Sequence, residues 1–102
     1  MLALEVRLNG ELKATCGSET AEWLAAGLTA RRVEPGMPKD FALGIECAGR
    51  LPVDADTFEV VKWVSARLKL GDEISFRFVE AASAQDPIDR QKVSKRDDSP
   101  DA

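Results

Sequence analysis

The chain contains no histidine and no tyrosine among its 102 residues. Histidine-dependent catalytic triads and metal sites with imidazole ligands therefore cannot be built within it. Its only cysteines, Cys16 and Cys47, lack the CxxC spacing of redox and zinc motifs. Both fall at inward positions of predicted strands, so we expect buried, reduced thiols, with a disulfide between neighbouring strands as the alternative. Carboxylates, lysine and arginine remain for catalysis, but the sequence favours a protein that is not an enzyme and holds no cofactor or metal.

Long apolar runs and an excess of basic residues are also missing. No stretch approaches the roughly 20 apolar residues of a membrane span, and the amino terminus lacks the pattern of a signal peptide. The formal net charge is −4, whereas a dedicated nucleic-acid binder normally carries a basic face. We therefore expect a cytoplasmic protein that binds neither membranes nor nucleic acids.

The clearest positive feature is the alternation of apolar and polar residues over positions 2–16, which predicts a β-hairpin around Asn9-Gly10. A two-residue turn would pair Arg7 with Leu12 and place charged and apolar residues on one face. A three-residue loop, with Gly10 as a bulge, pairs Arg7 with Glu11 instead, and we favour it for that reason. In that register these side chains face the core: Leu4, Val6, Leu12, Ala14 and Cys16.

Four further segments complete the predicted architecture. Ser18 can cap a helix through residue 32, and apolar residues at helical spacing predict a second helix over 57–68. The second segment is also rich in β-branched residues, which leaves an extended conformation as the alternative. Alternation predicts strands at 41–48 and 73–80.

Together these elements predict an α+β fold. It has a sheet of about four strands, antiparallel or mixed, that opens with the hairpin, and one or two helices on one face. Residues 1–82 form the single domain, with a proline- and glycine-containing loop at 33–40. Residues 83–102 have two prolines, no aromatic residue and mixed charges, so we expect a disordered charged tail.

The order of these features resembles the β-grasp, or ubiquitin-like, fold. Asn9-Gly10, the segment after Ser18 and the run from Leu68 to Glu73 are similar to the sulfur-carrier branch of that fold over residues 1–81. Those carriers end in Gly-Gly, which is converted to a thiocarboxylate, and this chain contains no diglycine. The resemblance therefore implies a fold and no carrier chemistry. The first and last segments of the predicted domain also look like those of small bacterial proteins with no assigned activity.

The outward face of the sheet is the candidate site. Mixed charges surround small residues there, which suits a protein surface better than a catalytic pocket. The predicted partner-binding residues are Glu5, Arg7, Lys13, Glu46, Arg77 and Trp63.

The expected function is non-enzymatic protein binding, as an adaptor or an immunity-type protein, through this face, an edge strand or the tail. The partner is expected to be another protein, and a homodimer through a sheet edge is a further option. The alternatives are a β-grasp-like carrier or binder of a small molecule and an accessory subunit of an enzyme.

Overall fold

The computed structural model describes residues 1–32 and 41–94, and every regular element in them is a β-strand. The strands are β1 (Leu2–Leu8), β2 (Glu11–Gly17), β3 (Trp23–Arg32), β4 (Phe41–Pro52), β5 (Thr57–Leu68), β6 (Ile74–Glu80) and β7 (Asp89–Ser94). They form a three-stranded sheet, β2-β1-β6, and a four-stranded sheet, β3-β4-β5-β7, with antiparallel pairing throughout. No helix in the described ranges is long and apolar enough to cross a membrane.

The core lies between the two sheets, which pack face to face. Its buried members come from both: Leu4, Val6, Ala14 and Cys16 from one sheet, and Ile45, Cys47, Val61 and Trp63 from the other. Alternate positions along each strand supply them because successive side chains point to opposite faces. The fold is therefore a two-layer β-sandwich.

The two thiols are buried and free, as expected. Cys16 lies on β2 and Cys47 on β4, so they face each other from opposite sheets and not from neighbouring strands. The hydrogen bond with Cys47, together with burial, raises the pKa of the Cys16 thiol. At neutral pH this thiol stays protonated, and it packs as a small apolar side chain.

The prediction of an α+β fold is wrong, because both expected helices are strands. At 57–68 the extended alternative is the one that forms, as β5. A bulge opposite Cys47 and Ala48 leaves Trp63 as an extra residue, so that Trp63 and Val64 both contact the core. This interruption of the two-residue period produces the spacing of three between Val61 and Val64. Phe58, buried beneath Arg50 on the other face of the sheet, adds a second spacing of three, and together they imitate a helical stripe.

The segment expected as the first helix forms β3, which pairs with β4 along its whole length from Trp23 opposite Arg50 to Arg32 opposite Phe41. Leu24 and Leu28 share the face of the core, while Trp23 lies on the other face. Ten residues of non-local pairing outweigh a weak helical preference, which Gly27 lowers further. No helix follows Ser18, although the β-grasp resemblance implies one there.

The predicted hairpin exists, but its bulged loop is wrong. Leu8 pairs with Glu11 and Arg7 with Leu12. The turn therefore has two central residues, Asn9 and Gly10, with φ of 52° and 83°. A bulge between Val6 and Arg7 then shifts the register, so the inward residues of β1 and β2 still match.

The core face of the hairpin is consequently close to the prediction. Leu4, Val6, Ala14 and Cys16 are buried, whereas Leu12 is 44% exposed. The strand expected at 41–48 is confirmed and extends to Pro52, and the strand expected at 73–80 is confirmed from Ile74.

The tail expected from 83 to 102 differs from the structure in its first part. Residues 89–94 form β7, which pairs with β5. The preceding segment is held by backbone hydrogen bonds, such as that from Ile88 N to Lys62 O at 2.7 Å. Residues 95–102 and the expected loop at 33–40 lie outside the described residues.

Candidate protein-binding interface

One side of the sandwich is closed by the segment that leads into β7. The Trp63 Nε1 donates to the Gln85 carbonyl oxygen at 2.8 Å. The Gln85 backbone N–H donates to the Thr15 carbonyl oxygen at 3.0 Å, and the Thr15 N–H donates to Gln85 Oε1 at 2.9 Å. Gln85 therefore joins the edge of β2 to the core of the opposite sheet.

The other side of the sandwich, between the edge strands β3 and β6, is open. A groove of about 320 Å³ separates the two strands. We call this groove, together with Leu28, the next residue of β3 on the same face, the open seam. Its apolar side chains are Leu24, Ala26, Leu28, Phe76 and Phe78. A second groove of about 460 Å³ continues it past Leu2 and Trp23.

Three side chains of the open seam, Leu28, Phe76 and Phe78, point toward the core side and yet remain exposed. Phe76 and Phe78 pair with Val6 and Leu4, so all four lie on the same face of their sheet. Phe78 is nevertheless 66% exposed and Leu28 is 61% exposed. Large apolar side chains grouped in this way, without a cover, mark an interaction surface.

Strand β3 also has an unprotected edge. It is ten residues long, and the eight from Trp23 to Ala30 carry neither a charge nor a proline. Its outer edge faces no strand of the described residues. Proteins usually guard such an edge with charges, prolines, bulges or a covering segment, since its free N–H and C=O groups accept another strand.

The other three edge strands have such guards. Gln85 binds both backbone groups of Thr15 on β2. Strand β7 contains Asp89, Arg90 and Lys92, and β6 contains Arg77 at its centre. Among the four described edge strands, β3 alone has eight successive residues without such a guard.

The predicted partner-binding residues divide between surfaces. Glu5, Arg7 and Arg77 come together on the outer face of the three-stranded sheet. Glu5 Oε1 lies 2.9 Å from Arg77 and 3.7 Å from Arg7, while Lys13 lies 3.3 Å from Glu11. These exposed charges satisfy one another, and each such pair contributes about 0–1 kcal/mol.

Glu46 and Trp63 do not belong to that face. Glu46 lies opposite Gly27 in the four-stranded sheet, and its carboxylate is 3.0 Å from Lys62 Nζ. Trp63 is 5% exposed and lies in the core. The structure therefore brings together only part of the predicted surface.

An apolar cavity of about 410 Å³ lies between the sheets at one end of the sandwich. Its lining is mainly aliphatic and aromatic, and includes Leu8, Trp63, Leu68, Ile74 and Ile88. Its only polar lining residues are Lys13 and Ser65. Small-molecule sites use a few placed polar groups to orient the ligand, so this cavity is a weaker candidate than the open seam.

Carboxylates in the turns have structural partners. Asp54 Oδ1 accepts hydrogen bonds from the N–H groups of Asp56 at 2.8 Å and Thr57 at 2.9 Å, and the bond from Asp56 is the main reason that the pKa of Asp54 is lowered. Asp72 accepts from the Lys69 N–H at 2.8 Å, which lowers its pKa in the same way. No group of three carboxylates or cysteines that could hold a metal ion occurs in the described part of the chain.

Sequence reasoning missed the edge of β3, although a signal was present. The uncharged run from Trp23 to Ala30 falls within the segment that the sequence predicts as the first helix. Once the same run is placed in an edge strand, its lack of charge becomes unusual.

Comparison with known proteins yields no relative. No protein-family model, no curated protein and no solved structure matches the chain. The function must therefore follow from the geometry of the chain itself.

Proposed function

We propose that the protein is a non-enzymatic protein-binding module, of the adaptor or immunity type, that accepts a partner strand at β3. The observation that carries this proposal is the uncharged eight-residue stretch of the β3 edge, from Trp23 to Ala30, beside the exposed Phe78 and Leu28. An extended segment that joins such an edge gains backbone hydrogen bonds along its length, and its alternate side chains enter the adjacent groove.

Affinity and selectivity would come from different parts of this surface. The backbone of β3 offers hydrogen bonds that are independent of the partner's sequence. The open seam offers an apolar surface with two aromatic side chains, Phe76 and Phe78, and aromatic residues are enriched at the centres of interfaces. The seam therefore selects partners with apolar side chains at alternate positions.

The other residues predicted to bind a partner have secondary roles in this proposal. The ion-paired group of Glu5, Arg7 and Arg77 remains a predicted second contact surface. Trp63 has a structural role in place of a direct contact, because it is buried. The cytoplasm remains the expected compartment, since thiols stay reduced there.

Combining Phe78→Ser with Leu28→Ser tests the proposal. Both side chains are largely exposed, so the fold should persist while the seam loses its apolar surface. Native mass spectrometry of the protein purified from its own host should detect a bound polypeptide with the unmodified chain and lose it with the double variant.

The matched control is Val53→Ser, which removes an apolar side chain that is 42% exposed outside the seam. This variant should keep the bound polypeptide. Equal occupancy in the double variant and the control would refute binding at the seam.

A further inference from the structure

We infer that the strand that joins β3 is β3 of a second copy of this chain, antiparallel and centred on Gly27. This inference rests on the proposed function, because it requires β3 to be the binding edge. It adds the identity of the partner and the register of the pairing. Three features of the described residues support it: the pattern of side-chain sizes, the arrangement of charges and the position of Gly27.

The side-chain sizes are complementary about this centre. Directly opposed residues of an antiparallel pair lie on the same face of the sheet. If the Gly27 residues of the two copies lie opposite each other, Leu24 of one copy lies opposite Ala30 of the other on the inward face. Ala26 likewise lies opposite Leu28. Each large side chain then lies opposite a small one, which is the arrangement that packs without voids or clashes.

Charges at the ends of β3 are also complementary. Trp23 of one copy lies opposite Arg31 of the second copy, within reach of a cation–π contact. Glu22, just before the strand, comes opposite the basic end at Arg32. A pairing centred on Leu28 would instead oppose the apolar Leu24 to the charged Arg32.

Within a single copy, no contact of the described residues requires glycine at position 27. A glycine in the interior of a strand lowers stability by roughly 0.5–1 kcal/mol relative to alanine. A Cβ at Gly17, Gly44 or Gly49 would lie within 3.1 Å of another atom, whereas one at Gly27 would meet nothing within 4 Å. At a twofold axis this residue lies opposite its own copy, so glycine there avoids opposing two identical side chains.

Such a pairing would also cover the open seam. The twofold axis is perpendicular to the sheet, so the three-stranded sheets of both copies lie on the same side of the joined sheet. The two β6 strands then approach each other over the paired β3 strands. Phe76 and Phe78 of each copy, which are exposed in the single chain, face those of the other. The two four-stranded sheets become one sheet of eight strands.

Charge substitutions at Gly27 test this arrangement. Gly27→Glu and Gly27→Lys each place two like charges directly opposite each other at the axis, and a Cβ at Gly27 meets no atom within 4 Å. Within one chain Glu46 lies opposite on β4, so its charge disfavours Gly27→Glu and favours Gly27→Lys. Sedimentation velocity over a dilution series should show a dimer for the unmodified chain. Either variant alone should have a dissociation constant about fivefold higher or more, from ~1 kcal/mol of repulsion. An equimolar mixture of the two variants should restore the dimer.

The matched controls are Gln91→Glu and Gln91→Lys on β7, which change the net charge equally at the other edge of the same sheet and should leave the dimer unchanged. A dimer unaffected by either Gly27 variant, or a mixture that shows no recovery, would overturn the inference. A monomer that still captures a different polypeptide through the seam would overturn it and leave the proposed function intact. A monomer that captures nothing would overturn both.

Discussion

Replacing Trp63 with alanine is expected to lower the free energy of unfolding by about 3–5 kcal/mol. The side chain is 5% exposed and packs between the sheets, so its removal leaves a large cavity. It also removes the hydrogen bond to the Gln85 carbonyl oxygen, which holds the segment before β7. For a domain of this size the melting temperature should fall by roughly 15–30 °C, measured by circular dichroism.

The chain offers a matched control in its other tryptophan. Trp23 is 44% exposed, so Trp23→Ala should change the unfolding free energy by less than about 1 kcal/mol when measured at low protein concentration. If the two variants lost equal stability, Trp63 would not be the centre of the core.

The second large effect is expected from Gly49→Val. A Cβ at this position would lie 2.9 Å from the Trp23 carbonyl oxygen and 2.9 Å from Cζ3 of Trp63. Backbone cannot move aside cheaply in a paired strand, so the overpacking should lower the free energy of unfolding by about 1–3 kcal/mol or more. Urea titration gives this difference directly.

Gly27→Val serves as the comparison for the same chemical change. Its Cβ meets no atom within 4 Å, and valine favours strands over glycine, so the single chain should keep or gain stability. Equal losses at positions 49 and 27 would contradict the close packing of Gly49 against the Trp23 carbonyl oxygen and the Trp63 ring.

Local alternation predicted the parts of the fold in which the two-residue period is unbroken. It located β1, β2 and the inward positions Ile45 and Cys47 of β4. It failed where a bulge breaks the period, as at Trp63 in β5. It also failed at β3, whose conformation depends on non-local pairing with β4.

The hairpin register shows how a pairing rule can mislead. The expected cross-strand attraction between Arg7 and Glu11 favours a three-residue loop. In the structure, Arg7 lies 3.7 Å from Glu5 on its own strand, and Lys13 is the neighbour of Glu11. Asn9 is instead fixed by the β5–β6 turn, since its N–H donates to the Glu73 carbonyl oxygen at 2.7 Å.

The open seam could not be predicted from local patterns. Its existence depends on β6 pairing with β1 while β3 pairs with β4, and both are long-range choices. Phe76 and Phe78 lie on the face of Val6 and Leu4. Their exposure arises because no described element covers that end of the sandwich.

The central claim is that the outer edge of β3 pairs with another strand. Residue-resolved hydrogen exchange of the amides from Leu24 to Ala30 tests this most directly. In an antiparallel edge strand, alternate amides point away from the neighbouring strand. In the assembled protein both sets should be protected, and dilution to the single chain should release only the outward set. Rapid exchange of the outward set under both conditions would contradict the claim.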